Sequence, residues 1–258
     1  MYATDYFETI ILNLARGVSA TAPQAMYLAL YLNNPTDTGG GTEVSYSGYE
    51  RLQIAFSAPA TIGAGMGVQN TSDLTFAQSS TAVGNATYVG VLDSLAGGNM
   101  YLYGQLVEPL SIQPGIAPVV RAGGVKWISS GKMSNAYKTK VLNILRGTNC
   151  NGFTPYLALC NGSPEAGGSE FTGNGYQRTA MEFSSPAQQA NGNMMISNTA
   201  AINTPIATGT WGQMTHIAVY DAESDGQPYL IDTASTQIQM NNGKMVTYAP
   251  GAFNFSIN

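Results

Sequence analysis

One histidine, two cysteines and ten lysines and arginines are the whole stock of imidazole, thiol and basic side chains in this sequence. Four His or Cys ligands for a structural zinc cannot be drawn from such a set. A disulfide framework needs more pairs than Cys150 and Cys160 supply, so two free thiols is the preferred reading, with one local disulfide as the alternative. His216 lies in THIAVYD and reads as a core or edge histidine of a strand rather than a base. The basic residues are scattered singly and the formal net charge is −5. No basic stripe is therefore present to neutralise phosphates, and a nucleic-acid groove is not expected. No apolar run approaches the roughly 18 residues of a membrane span, so no membrane insertion is expected. The opening stretch MYATDYFETIILNLARG lacks a basic segment and carries Asp5 and Glu8, unlike a signal peptide. A cytosolic product, or one that leaves the cell by lysis or a signal-less route, is the expectation.

Charge itself is scarce. Charged residues are 10% of the chain, against about 25% in an ordinary soluble domain. Gly, Asn, Gln, Ser and Thr take their place, and such a neutral surface protects a free monomer poorly against association. Contact with other proteins, including copies of itself, is the reading this favours; a secreted or phage-type polar surface is the alternative. Hydrophobic residues make up 44%, enough for packed cores.

What the sequence has in plenty is itself. TIILNLARG (Thr9 to Gly17) returns as TKVLNILRG (Thr139 to Gly147), and YLAL at Tyr27 to Leu30 returns at Tyr156 to Leu159. GYERLQIAFSAPA (Gly48 to Ala60) returns as GYQRTAMEFSSPA (Gly175 to Ala187), with Tyr, Arg, Phe, Ser and Pro at the same spacing. Asn70-Thr71 meets Asn198-Thr199, Asp93 meets Asp221, and Tyr101-Leu102 meets Tyr229-Leu230. The register drifts by only two or three residues over the whole length, so the chain is a tandem duplication with its insertions in turns. Copy 1 spans residues 1–128, a joint spans 129–135 (SSGKMSN begins at Ser129), and copy 2 spans 136–258. A module of about 125 residues is large enough to bury roughly two thirds of its unfolded surface and to fold alone. Two copies also have self-complementary patches, and hence a pseudo-twofold or screw relation, available to them.

Each copy begins with a helix. In DYFETIILNLARG the residues Phe7, Ile10, Ile11 and Leu14 recur at helical spacing, with Asp5 as the expected N-cap, Glu8 completing a capping box and Gly17 as the stop. Copy 2 repeats this with Ser134 or Asn135 as cap, Tyr137, Val141, Ile144 and Leu145 as the face, and Gly147 as the stop. Short alternating apolar runs between Gly- and Asn-rich turns follow, among them YLALYL, THIAVYDA and PYLIDTA. Such a pattern predicts a mainly β fold: two tandem antiparallel β-sandwich, jelly-roll-like modules, each after a short N-terminal helix, with a barrel as the alternative.

Candidate chemistry is thin. Paired carboxylates could serve a glycosidase, but Glu43 and Glu170 sit in Gly-rich loops and Asp93 and Asp221 at strand ends, where turn or capping roles fit better. DAESDG lacks the ligand spacing of a calcium loop, and the Gly-rich stretches at 39–41 and 121–127 match neither phosphate-binding pattern. No catalytic residue, metal or cofactor is expected. The most regular charged feature is Arg51 after Tyr49 and Arg178 after Tyr176, read as internal ties to a loop carbonyl or to Glu43 and Glu170. Tyr46 and Asn174, in the Tyr- and Asn-rich loops EVSYSGY and FTGNGY, are the candidates for contact with a glycan or protein partner.

Several phrases carry a resemblance. GTEVSYSGYER (Gly41 to Arg51) in copy 1, and WGQMTHIAVYDA (Trp211 to Ala222) and APGAFNFSI (Ala249 to Ile257) in copy 2, resemble a family of small virion proteins of tailed bacteriophages often labelled tail-fibre-like. Copy 1 departs from the pattern with VGNATYVGVLDS in place of the Trp-Gly phrase, and copy 2 with SEFTGNGYQR in place of the Glu-Val phrase. The resemblance implies a fused pair of modules that is a non-enzymatic structural component of the virion, either tail-fibre or tail-associated. Decoration of the capsid is the alternative, and a carbohydrate-binding module for the host surface is a second. Other virion proteins of tail or capsid are the implied partners, with self-association.

Overall fold

A computed structural model describes residues 1–129 and 131–257; Ser130, inside the expected joint, and Asn258, the last residue of copy 2, lie outside the described residues. Copy 1 begins with β1 (Tyr2–Ala3) and α1 (Asp5–Ala15), followed by β2 (Met26–Tyr31), β3 (Leu52–Ile54), β4 (Ala60–Ile62), β5 (Gly65–Gln69) and β6 (Leu74–Thr75). The long hairpin β7 (Gly84–Leu92) and β8 (Met100–Ile112) comes next, then β9 (Val119–Val120) and β10 (Lys126–Ser129). Copy 2 keeps the order: α2 (Asn135–Ile144), β11 (Tyr156–Cys160), a 3-10 turn (Pro164–Ala166), β12 (Thr179–Ala180), β13 (Ala187–Gln188), β14 (Met194–Ser197) and β15 (Ile202–Asn203). It ends with the hairpin β16 (Gly212–Tyr220) and β17 (Pro228–Met240), then β18 (Thr247–Tyr248) and β19 (Asn254–Ile257).

Sheets correspond as the strands do. Copy 1 has a sheet ordered β1-β8-β7-β2-β3 and a smaller one ordered β10-β5-β4; copy 2 has β12-β11-β16-β17 and β13-β14-β19. Two-stranded ribbons β6-β9 and β15-β18 close each copy. In place of β1, copy 2 uses the residues before α2, where Ser134 N–H donates to the Tyr229 carbonyl and Lys132 O accepts from Ile231 N–H. The chain is thus mainly β, two antiparallel β-sandwich modules in tandem, each led by a short helix.

Strand alternation assigns the faces. Along β2, Leu28 and Leu30 enter the main core while Ala29 and Tyr31 join a small cluster with Leu92 and Met100 on the other face. Along β11, Leu157 and Leu159 enter the same main core, and Ala158 and Cys160 join Ala218 and Tyr220 on the other side.

The helix caps differ in part from expectation. Thr4, not Asp5, caps α1: its side chain accepts from Phe7 N–H, and Asp5 becomes the first helical residue, where its charge favours the helix N-terminus. Glu8 closes no capping box; it is 4% exposed, held by burial against the neighbouring sheet. In copy 2 Ser134 is the cap, with Tyr137 N–H donating to its Oγ over 3.0 Å. Gly17 and Gly147 take φ of 92° and 84° just beyond the helices, the left-handed region that glycine enters without penalty.

Both helices lie between the copies. α1 packs on β8 of its own copy and on β14 and β19 of the other, and α2 packs on β17 and on β5 of copy 1. One continuous apolar cluster therefore includes Phe7, Val68 and Trp127 with Tyr137, Ile196 and Phe255.

Candidate functional site

The regular charged feature of the sequence assembles once in each copy. Glu43 follows the Pro/Gly loop after β2 and bridges back to Tyr31, while Glu170 bridges back to Cys160 after β11. Arg51 and Arg178 stand just before β3 and β12. In copy 1, Arg51 Nε donates to Glu43 Oε1 over 2.9 Å and Nη2 donates to Oε2 over 2.7 Å, a bidentate pair. Its remaining nitrogen, Nη1, donates to the carbonyls of Ser94 and Gly97 in the β7–β8 turn at 2.8 and 2.7 Å. Tyr49 OH donates to Glu43 Oε1 over 3.2 Å and accepts from Leu30 N–H over 3.0 Å.

Copy 2 repeats each bond. Arg178 Nε and Nη2 donate to Glu170 Oε1 and Oε2 at 2.9 and 2.7 Å, and Nη1 reaches the carbonyls of Ala222 and Asp225 at 2.7 and 2.6 Å. Tyr176 OH donates to Glu170 Oε1 and accepts from Leu159 N–H, each over 2.9 Å. The Arg178 guanidinium also lies 3.6 Å from the centre of the Tyr220 ring.

These clusters sit at the edge of the core. The arginine side chains are 8% and 7% exposed, so the guanidinium is shielded while the carboxylate keeps an opening to water. The hydrogen bonds that Arg51 donates to Glu43 raise its affinity for its proton. Burial works against the charge of Arg178, and its bonds and attraction to Glu170 outweigh that cost. Burial pushes the Tyr49 and Tyr176 hydroxyls far above the ordinary phenol range, so both stay neutral donors to the carboxylate. The arrangement joins three segments of chain through one guanidinium that uses four of its five N–H donors.

Asp93 and Asp221 complete the turn that the arginine grips. Asn99 N–H donates to Asp93 Oδ1, and Gln227 N–H to Asp221 Oδ1, each over 2.7 Å. Of the candidates for partner contact, Tyr46 packs its ring 5.4 Å from that of Tyr49 and donates its hydroxyl to the Ala77 carbonyl over 2.6 Å. Asn174, at φ 47°, donates from Nδ2 to Thr210 O over 3.0 Å and accepts from Trp211 Nε1 over 2.9 Å at its own carbonyl. Tyr46 thus adjoins the copy 1 cluster, and Asn174 ties the loop before Tyr176 to the strand hairpin.

A second duplicated cluster escaped the sequence reading of polar roles. Asn70 and Asn198, each 2% exposed, bridge loops in the two copies. Asn70 Nδ2 donates to the carbonyls of Ser72 and Arg121, and its Oδ1 accepts from Val125 N–H over 2.9 Å. Asn198 does the same with Ala200, Ala249 and Phe253. The retention of Asn-Thr in both copies was the available signal.

The remaining chemistry-bearing residues stand apart. His216 lies on β16 opposite Cys160 and Thr233, with Nδ1 3.0 Å from Thr215 Oγ1. Cys150 and Cys160 are both free and buried, and burial pushes the Cys160 thiol up to about 12. Among the described residues, no group of three or more His, Cys, Asp or Glu is placed to hold a metal, and no helix is long and apolar enough to cross a membrane.

A duplicated β-sandwich with the same Glu-Tyr-Arg cluster in both halves defines a tandem structural module. Two regions, residues 2–127 and 132–256, match the family described as podophage GP4 fiber I protein gp80. The chain belongs to this phage fibre family and carries its module twice. No curated protein matches the chain.

Proposed function

We propose that the chain is a non-enzymatic structural component of a podophage tail fibre, working by contact with other virion proteins and residing in the virion. The observation that carries this reading is the family match in both halves, residues 2–127 and 132–256. The site geometry supports it: Glu43, Tyr49 and Arg51, like Glu170, Tyr176 and Arg178, bond to one another and to loop carbonyls of their own copy. We assign these six residues the role of turn braces. On this reading residues 1–128 and 136–258 are the two modules and 129–135 the joint.

Particles purified from infected cells, analysed by mass spectrometry and imaged with an antibody to the chain, test the proposal. Label on the tail is the expected result. Label on the head would move the chain to capsid decoration, and absence from the particle would overturn a virion role altogether.

A further inference from the structure

The helices bury too much of themselves to serve one sheet. α1 hides Phe7, Glu8, Ile11, Leu12, Leu14 and Ala15, and α2 hides Tyr137, Val141, Leu142 and Ile144, wider than the single stripe of a helix lying on a surface. Phe7 meets Tyr101 and Trp127 of its own copy, while α1 also packs on β14 and β19 of the other. Thr139 on α2 contacts Met66 of copy 1 over 3.3 Å, and Met66 is the position that matches Met194. Each helix therefore covers the small sheet of the opposite copy.

The segments after the helices meet in the same reciprocal way. Aligning TIILNLARG with TKVLNILRG carries Ser19 onto Asn149, Ala20 onto Cys150 and Ala22 onto Gly152. Ala20 and Cys150 exchange both backbone bonds, at 2.8 and 2.9 Å. Gly152 N–H donates to Ser19 Oγ and Ala22 N–H donates to Asn149 Oδ1, each over 2.9 Å. A Cβ on Gly152 would lie 1.9 Å from the Gly17 carbonyl oxygen, so the two backbones touch there. Matching residues contacting each other's counterparts is the signature of an isologous, twofold interface.

We infer that the surface formed by the helix and residues 17–22 of one copy is a docking surface for a second copy of the same module, and that the two copies hold together through it without needing the joint. The inference does not depend on the fibre reading. It makes the chain one folding unit, a covalently tethered pair, although each copy has the length of an independent domain.

The test uses the full chain with a protease recognition sequence inserted at Gly131, which is exposed and has open space around its Cα. After complete cleavage, both fragments should elute together in size-exclusion chromatography at the volume of the uncut chain and unfold in one transition. Elution as two separate folded fragments would overturn the inference. A second variant locates the contact: Ala20→Cys in the cleaved chain, under mild oxidation, should cross-link to Cys150 and restore a full-length band on a non-reducing denaturing gel. Cys150→Ser should abolish that band. Co-elution without the cross-link would place the contact elsewhere and overturn the assigned surface.

Discussion

Replacing Arg51 with alanine probes the brace most directly. The wild-type guanidinium makes two bonds to Glu43 and two to carbonyls of the β7–β8 turn. Removing it leaves the Glu43 carboxylate, 27% exposed, with only the Tyr49 hydroxyl as a partner. Breaking a fully buried pair by deleting one partner costs about 3–5 kcal/mol. The opening to water at Glu43 and at the turn carbonyls lowers that to about 2–4 kcal/mol, at roughly 1 kcal/mol per lost bond. Urea unfolding followed by far-UV circular dichroism should therefore show a clear fall in midpoint with the slope unchanged. Arg51→Lys should recover only part of the loss, because an ammonium cannot reproduce the fork that spans both carboxylate oxygens and the turn.

A matched control fixes the interpretation. Arg121 also pairs with an aspartate, Asp73, at 2.6 Å, but the two side chains are 76% and 45% exposed. Arg121→Ala should leave the midpoint within measurement scatter, since exposed pairs contribute little. Arg178→Ala should resemble Arg51→Ala with a further loss from the Tyr220 ring contact. The two brace losses should add, because the clusters share no partner. If Arg51→Ala costs no more than Arg121→Ala, the brace role is wrong.

Three further outcomes are expected. Burial, then Asp37, then Asp5 raise the Glu8 carboxyl from 4.5 to about 7. The folded chain thus binds more protons than the unfolded chain between those values, and stability should fall as pH rises through that window. The loss across that window is about 2–3 kcal/mol, at roughly 1.4 kcal/mol per unit; thermal melts from pH 4.5 to 7.5 should show it and Glu8→Gln should flatten it. Asn198→Ala leaves the carbonyl of Ala200 and the amide of Phe253 without partners, while the Ala249 carbonyl keeps its bond from Ala252 N–H; a cost of about 2–3 kcal/mol is expected by urea unfolding. Thr4→Ala should lower stability by about 1 kcal/mol as a lost cap, whereas Asp5→Ala should cost less; equal losses in thermal melts would contradict the capping assignment.

The duplication, the mainly β class and the leading helices were legible because each rests on local pattern. Repeated phrases need no structure, and period-2 runs such as LALY show which side chains share a face. The Tyr-x-Arg spacing was also visible, and so was the carboxylate at a fixed distance before it. The far partners were not: Ser94 and Gly97 contribute only carbonyl oxygens, which every residue has, so no side-chain identity marks them. The cap of α1 was misplaced by one residue because Thr4 and Asp5 are both good caps, and the choice follows from the chain direction out of β1. Cross-copy contacts were invisible for a similar reason. Ala20 and Cys150 are joined by backbone hydrogen bonds, which no side-chain identity marks, and the buried Leu12 and Ala15 look ordinary until a second surface lies over them.

The places where the two copies differ obey a shared constraint. The brace tyrosine is packed against aromatic rings in both, but from different positions. In copy 1, Tyr49 stacks on Phe76 with ring centres 5.8 Å apart and planes at 7°, and Val44 and Val83 belong to the same apolar cluster. In copy 2 the position of Phe76 is taken by Thr204, whose Oγ1 instead accepts from Val246 N–H over 2.9 Å. The lost volume returns as Phe171 and Trp211, which stand where copy 1 has Val44 and Val83 and meet Tyr176 edge-on at 6.1 and 5.1 Å. Trp211 Nε1 is satisfied by the Asn174 carbonyl, which accounts for a left-handed asparagine in that loop. Core volume is thus conserved by exchange among three positions rather than residue by residue. The altered Trp-Gly phrase of copy 1 and the altered Glu-Val phrase of copy 2 are two solutions to one packing problem around an unchanged Glu-Tyr-Arg brace.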